Sequence, residues 1–515
     1  MVWRTSWDVI KVILINQALP SAQIKKIAYN SEQDVKNGGL RIMVKATEWL
    51  AKSLTYENDL LADLEDMMMI KSVRDDAAAT EDAPLGPGPK AALEKFLEIA
   101  ERDGFRTGNY HNLVAYAELG PEDAEESVAI IGHLDVMPAG DGWTKDPWTP
   151  VIEDGRLYGR GSSDDKGPSF AGYYALKMLK DMEVPLKRKL VFIVGIDEES
   201  DWTGMDDFFE AYGEPTMGFS PDAEFPIING EKGNGSTVVR FAGNNEGTTR
   251  LISFSAGERP NMVPGVAKAV VETEDPEALV AQMDKYLAQE SRVKGEAEVN
   301  DNRVDFTFFG HQVHGASPET GENAGTYLAN FLKEADFGGN AQGFLDFLGG
   351  TLHDDTTGTK VGIATHDDLM GDLSMNVGIQ RFTDGEDGFV DINIRYPQNI
   401  TADDIEAKIS AAIPTNFAAT AANEGHAMVP HYVPGDDPLV STLLDVYRDH
   451  TGLPAGERVI GGGTFGRLLK RGVAFGAMFE GVPDTMHQAD EFFPVADLTR
   501  AMAIFANAMY ELANN

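Results

Sequence analysis

Two apolar runs of strand length, Ser127–Val136 and Lys189–Ile196, each end in residues that do not belong in a core. The first closes on Ile131-Gly132-His133-Leu134-Asp135-Val136, and the second passes directly into Asp197-Glu198-Glu199-Ser200. Near-continuous apolar runs of this length are typical of strands covered on both faces, as in parallel sheets. Lys166–Lys180 between them reads as a helix. Ahead of them, Ala91–Arg102 carries Leu93, Phe96, Leu97 and Ala100 at i, i+3, i+4 and i+7. Buried strands alternating with amphipathic helices predict an α/β fold, a mixed, largely parallel sheet with helices on both faces. In such sheets reactive groups gather beyond the C-terminal strand ends. His133, Asp135, Glu198 and Glu199 all fall there.

His133 and Asp135 are two residues apart, so on a strand they share a face. A metal-ligating imidazole commonly has its second nitrogen held by a carboxylate or carbonyl. The pair therefore offers a ligand and its support. Glu198 and Glu199 are consecutive and point different ways, so one can ligate a metal while the other faces a bound water as general base.

Three further segments extend this set. Gly159-Arg160-Gly161-Ser162-Ser163-Asp164-Asp165-Lys166-Gly167 is a glycine-rich turn opening a helix. Taken alone it reads equally well as a loop with an Asp cap. With the other acids it supplies Asp164 as a carboxylate able to bridge two cations. It lacks the Gly-Lys-Ser/Thr ending of a phosphate loop. Asp222 in Ser220-Pro221-Asp222 and His487, close to Asp490 and Glu491, are each ordinary in isolation. Together His133, Asp164, Glu199, Asp222 and His487 give each of two divalent metals a His, a terminal carboxylate and a shared bridge. Zn2+ suits that set, as do Mn2+ and Co2+.

Composition narrows the partners. With 43 basic against 83 acidic residues the net charge is −40, which disfavours nucleic acid and anionic membranes. No apolar run approaches the ~20 residues of a membrane span. Val9–Ile15 is too short, and too broken by Lys11, for a signal-peptide core. The chain has no cysteine, which excludes a disulfide scaffold or thiolate metal site and fits a cytoplasmic location.

At 515 residues the chain should form more than one domain. Residues 1–45 carry two Trp and more basic than acidic groups, and are read as an extension without an assigned role. Residues 46–230 hold the first part of a catalytic domain. Within it, Met43–Val73 is read as one helix, Asp75–Pro89 as a linker and Asn112–Glu118 as a strand. The texture changes at about Gly230. Strand-like Ser236–Phe241, Arg250–Ala256, Arg303–Gly310 and Gly388–Tyr396 alternate with helical Pro276–Gln289, Asn323–Ala335 and Thr401–Ala412. This predicts an inserted α+β lid over 231–429. Residues 430–515 then complete the catalytic domain, with a helix over Pro438–Thr451, a turn at Gly461–Gly463 and a final helix over Val495–Ala513.

The blocks Gly-His-Leu-Asp-Val, Gly-Arg-Gly-Ser-Ser-Asp-Asp-Lys-Gly, Asp-Glu-Glu-Ser, Ser-Pro-Asp-Ala-Glu-Phe-Pro and Asp-Thr-Met-His-Gln occur in this order. From about residue 46 onward the chain resembles the di-zinc metallopeptidases that include aminoacylase, acetylornithine deacetylase, succinyl-diaminopimelate desuccinylase and carnosinase. Within them it is most similar to the peptidase V type of Xaa-His dipeptidase. The resemblance implies two metals, one on His133 and Asp222, the other on Glu199 and His487, with Asp164 bridging. It implies that Asp135 orients His133, that Glu198 is the general base and that the Asp164-Asp165 bond is cis. From the lid, His314 would stabilise the oxyanion, leaving His311 without a role, and Asn261 and Arg395 would contact substrate. Arg395 would pair with the free carboxylate, with Gly463 offering backbone nearby. The expected reaction is hydrolysis of dipeptides by a two-metal-activated water. The alternative is an N-acyl amino acid hydrolase or carboxypeptidase of the same family. A lid of this size would supply His314 within one chain, so a functional monomer is expected.

Overall fold

Three parallel strands, Lys189–Gly195, Ser127–His133 and Met217–Ser220, lie side by side in the centre of a six-stranded sheet. The computed structural model describes residues 45–515 apart from Asn416. The proposed extension and the Val9–Ile15 run lie outside the described residues. Gly472–Ala474 adds a further parallel strand beside Met217–Ser220. On the other side the hairpin Arg106–Tyr110 and Val114–Leu119 pairs antiparallel. The sheet is therefore mixed and largely parallel, and the fold is α/β.

Alternation along the strands builds the layers. Ala129, Ile131, Val191 and Ile193 pack with Met205, Phe208 and Phe209 of the helix Met205–Tyr212. On the opposite face the ring of Phe192 meets Phe96 of the helix Pro87–Arg102 and Tyr173 of the helix Lys166–Asp181. The long last helix, Val495–Asn514, packs along Lys166–Asp181. Burial of these strands on both faces accounts for their unbroken apolar sequence.

A second sheet has eight antiparallel strands. Its order is Lys294–Asn300, Arg303–Phe309, Val266–Glu272, Arg250–Ala256, Ser374–Thr383, Gly388–Tyr396, Gly233–Phe241 and Ala419–Met428. One face packs with the helices Pro276–Gln289, Ala324–Leu332, Gly339–Asp346 and Ala402–Ala412 in a hydrophobic core drawn entirely from residues between Val239 and Ile413. Val390, Ile392, Ile394 and Tyr396 point into that core. The residues alternating with them, Asp391, Asn393 and Arg395, point to the other face and line a cleft of about 860 Å³.

The structure revises several sequence expectations. Met43–Val73 is not one helix. Ala46–Ser53 and Glu57–Met68 are separated by a turn in which Thr55 N and Tyr56 N donate to the carbonyls of Lys52 and Ser53, leaving Leu54 exposed. The helix expected from Ala91 starts at Pro87, because Pro87 and Pro89 fit a first turn that needs no amide donors. Four strands of the second sheet and the strand Arg106–Tyr110 were not foreseen.

Candidate metal centre and cleft

The three central parallel strands deliver the site. His133 ends Ser127–His133, and Glu198 and Glu199 follow Lys189–Gly195. Asp222 follows Met217–Ser220, and Asp164 lies in the turn ahead of Lys166–Asp181. His487 arrives from the loop before the last helix, with its backbone in the left-handed region (φ 60°).

Ligand-capable atoms form two groups. One comprises His133, Asp164 and Asp222, the other Asp164, Glu199 and His487, each within 4.8 Å of one another. His133 Nε2 lies 3.1 Å from Asp164 Oδ1 and 3.6 Å from Asp222 Oδ2. His487 Nε2 lies 2.8 Å from Asp164 Oδ2 and 2.9 Å from Glu199 Oε2. Two donors bound tetrahedrally at ~2.0–2.1 Å from zinc sit about 3.3 Å apart. The spacings bracket that value, and Asp164 turns one oxygen to each group. This donor set fits two divalent cations.

The electrostatics agree. Burial disfavours a charged His133, yet Asp135, Asp164 and Asp222 raise its pKa well above the ordinary imidazole value. Burial likewise opposes the charge on His487, but Asp164 and Glu199 push it up to about 11. Burial pushes Glu199 up to about 7, with Asp164 adding to the rise. Burial, opposed by the His133 charge and reinforced by Asp222, Glu199 and Asp164, raises Glu198 well above the carboxylate range. So many crowded carboxylates need cationic partners, and metal ions satisfy that need.

Backbone amides hold the centre in place. His133 Nδ1 is 3.1 Å from the Asp135 carbonyl and 3.4 Å from its carboxylate. That carboxylate also accepts from the amides of Glu198 and Glu199, both at 3.1 Å, so Asp135 supports both the histidine and the glutamate turn. The Asp164-Asp165 peptide bond is cis. Asp165 Oδ2 accepts from His133 N at 3.1 Å and Ser169 Oγ at 2.6 Å. Only glycine fits at 132, since a Cβ there would lie 1.9 Å from Ser169 Oγ and 2.8 Å from Asp165 Oδ2.

Sequence reasoning missed Glu491 as a supporting group. Fully buried, it accepts from the amides of Gly161 (3.1 Å), Ser163 (2.7 Å) and Asp164 (3.1 Å) and pairs with Arg160 at 2.7 Å. It ties the segment carrying His487 to the turn carrying Asp164. The only sequence signal was an acid four residues beyond a candidate ligand.

The second sheet contributes the remaining candidates. Asn261 lines the cleft, across from Asp135 and Glu199. Gly315 N donates to the Asn261 carbonyl at 2.7 Å, joining this turn to the segment of His314. The His314 side chain is exposed, and its Nδ1 accepts only from Ala316 N at 3.3 Å. Partial desolvation and the charges of Arg395 and His487 lower its pKa. His311 turns instead to the Thr320 carbonyl, at 3.3 Å. Arg395 is buried and donates from Nη1 to the Gly461 carbonyl at 2.8 Å. Burial and neighbouring Arg467 bring its pKa down to about 10. The backbone beside Arg395 is thus that of Gly461. A Cβ on Gly463 would meet Arg467 Nη1 and Met428 Sδ instead.

A parallel-sheet α/β layer with a carboxylate–imidazole centre at its strand ends defines a metallohydrolase site. Residues 129–511 match the model of peptidase family M20/M25/M40, and the chain belongs to that family of peptide hydrolases. It is 42% identical over 462 residues to a Beta-Ala-Xaa dipeptidase of Lactobacillus delbrueckii subsp. lactis, covering 88% of this chain and 96% of that one. It is 39% identical over 470 residues to a putative dipeptidase of Staphylococcus haemolyticus, covering 90% and 99%. Human carnosine dipeptidase 1 shares the fold, with a TM-score of 0.55 at 17% identity over 91% of this chain and 98% of that one. Among the described residues no helix is long and apolar enough to cross a membrane.

Proposed function

We propose that the protein is a two-metal dipeptidase acting on dipeptides with a free C-terminal carboxylate. The observation that carries this reading is the pair of donor groups sharing Asp164, with Glu198 beside them. The dipeptide class rests on the relatives' names. Residues 46–230 and 430–515 would act as the catalytic domain and 231–429 as a lid, in a monomeric, cytoplasmic enzyme.

His133 and Asp222 would hold one divalent ion, Glu199 and His487 the other, and Asp164 both. Zn2+ is the first choice, with Mn2+ and Co2+ compatible. When bound, such ions supply Lewis acidity that polarises a scissile carbonyl and makes water nucleophilic near neutral pH. Glu198 accepts the proton of the attacking water and returns it to the leaving amine. Its place beside His133, Asp164, Glu199 and Asp222 suits a group that must hold that proton and give it back. Asp135 keeps His133 in one orientation through the contacts at Nδ1. His314 hydrogen-bonds the developing oxyanion. Arg395 receives the substrate carboxylate, a task matched to a guanidinium fork, and Asn261 and the backbone of the Gly461–Gly463 turn, nearest at Gly461, complete that side.

Purified protein loaded with Zn2+, Mn2+ or Co2+ and offered Ala-His, N-acetyl-histidine and a tripeptide tests the proposal. Ala-His alone should be cleaved efficiently. Preference for N-acetyl-histidine would establish the alternative acyl-amino acid hydrolase, and no cleavage with any metal would reject both.

A further inference from the structure

Glu231 is a fully buried acid outside the two donor groups. It ends the short strand Gly230–Glu231, just ahead of the first strand of the second sheet. That strand pairs antiparallel with His431–Tyr432, which follows the last strand of the second sheet, and parallel with Val459–Ile460, which leads into the Gly461–Gly463 turn. Both chain crossings between the two sheets thus meet beside the segment that enters the turn.

The Glu231 carboxylate is aimed at the residue after the glycines. Oε1 accepts from Thr464 Oγ1 at 2.8 Å and Oε2 from Thr464 N at 3.2 Å. Arg467 Nη1 is farther, 3.4 Å from Oε2, and that guanidinium also donates to the carbonyls of Lys232 and Val429 on the two crossings. A buried acid is costly unless its lone pairs are taken, and the shortest of these bonds go to the turn.

The turn has a fixed point at each end. The Gly461 carbonyl accepts from Arg395 Nη1. The Phe465 ring meets the His133 imidazole edge to face, with centroids 6.3 Å apart, and lies 5.2 Å from the Trp202 ring. Trp202 Nε1 in turn donates to the Glu198 carbonyl at 2.8 Å. Gly195 makes room for Phe465, since a Cβ there would lie 2.8 Å from its Cε2. Residues 461–465, with Thr464 held by Glu231 among them, therefore link the guanidinium assigned to the substrate carboxylate to a ligand of the metal centre. His314 feels the charges of both Arg395 and His487, so the guanidinium and the donor groups face one space.

We propose that Glu231 is a positioning residue for substrate length: by holding Thr464 it fixes Arg395 relative to the donor groups at the separation a dipeptide fills. This rests on the dipeptidase reading and deepens it. A slack turn lets Arg395 drift. That weakens a short ligand, which must reach Arg395 and the donor groups together, and leaves a longer, more compliant peptide unaffected.

The test compares zinc-loaded wild-type, Glu231→Ala, Glu231→Gln and Thr464→Val proteins by KM for Ala-His and by the inhibition constant of Ala-Ala-His as competitor. Glu231→Ala and Thr464→Val should raise KM for Ala-His by about tenfold or more, with kcat changing less and the inhibition constant unchanged. Glu231→Gln should keep wild-type values, because its Oε1 can accept from Thr464 N while its Nε2 donates to Thr464 Oγ1. Amide hydrogen exchange without substrate should quicken over residues 461–466 in the two disrupting variants and not over 127–133. Equal weakening of both peptides, or quickened exchange with neither peptide affected, would overturn the assignment. So would an effect of Glu231→Gln as large as that of Glu231→Ala, which would trace it to the pair with Arg467. Thr464→Val keeps that pair, so a Glu231→Ala chain that fails to fold leaves the test in place. Wild-type protein that cleaves no Ala-His rejects the dipeptidase reading itself, whereas wild-type cleavage with unaltered KM in Thr464→Val rejects this inference alone.

Discussion

The two walls of the cleft are built differently. On the parallel-sheet side, Asp135, Asp165 and Glu491 each accept from backbone amides and lock the segments that carry His133, Asp164, Glu198 and Glu199. On the antiparallel side, His314 accepts one long bond and stays exposed, while Asp391, Asn393 and Arg395 retain unpaired polar atoms. Groups that must keep a fixed mutual geometry are held by main chain. Groups proposed to meet the substrate are not held in this way. Changes on the first wall should therefore remove chemistry or metal, and changes on the second should alter substrate affinity.

The largest effect expected is that of Glu198→Gln. Turnover of Ala-His should fall by about 10²–10⁴-fold, with two metals per chain still found by elemental analysis. Near-normal turnover would move the general base elsewhere. Glu491→Ala should follow. It strips Arg160 and three amides of their acceptor, and breaking a buried pair in this way costs about 3–5 kcal/mol. Thermal unfolding should drop accordingly, and metal affinity with it, because Asp164 loses its support. If metal affinity held while stability fell, Glu491 would be structural only.

Acid should weaken the parallel-sheet side selectively. His450, on the helix Pro438–Thr451, is hydrogen-bonded to Asn507 at 3.1 Å, and burial lowers its pKa from 6.5 to about 4. The unfolded chain takes up this proton near 6.5, whereas the folded protein resists it until about 4. Stability should therefore fall as pH drops through that window, by up to about 3 kcal/mol, and stop responding to this group below it. Hydrogen exchange between pH 7 and 4.5 should show loosening in Pro438–Thr451 and Val495–Asn514, reduced by His450→Gln. Uniform loosening of both sheets would remove the contrast. The smallest effect is expected of Arg395→Lys, which gives up the fork but keeps the charge. KM should rise about 10- to 50-fold, as the loss of a charged hydrogen bond implies, with kcat changing less.

The same contrast governs what could be read from the sequence. The two long parallel strands, Ser127–His133 and Lys189–Gly195, announced themselves because burial on both faces leaves no polar interruption until the strand ends, where His133 and Glu198 stand out, whereas the short Met217–Ser220 and Gly472–Ala474 carry too few residues to show a pattern. Asp164, in a glycine-rich turn, Asp222, beside a likely strand, and His487, beside acidic Asp490 and Glu491, gained weight only as a set and from the resemblance. Glu491 and Asp165 were not legible, since what ties them to the centre is mostly backbone amides, which leave no mark in sequence. In the second sheet, Lys294–Asn300 (Lys-Gly-Glu-Ala-Glu-Val-Asn) is an edge strand with mostly exposed side chains, so its composition resembles a loop. Asp391-Ile392-Asn393-Ile394-Arg395 does alternate, but nothing in the pattern distinguishes a polar face turned to solvent from one turned to a cleft.

The tie between Glu491 and the turn at 161–164 has a consequence for biosynthesis. Translation delivers His487 and Glu491 long after His133 and Asp164. A nascent chain that has not reached residue 487 lacks one of the proposed metal donors and the acid that holds the Asp164 turn. On the two-metal proposal, peptide cleavage is expected only once residues 487–491 have emerged, and a product terminated before them is expected to be catalytically silent.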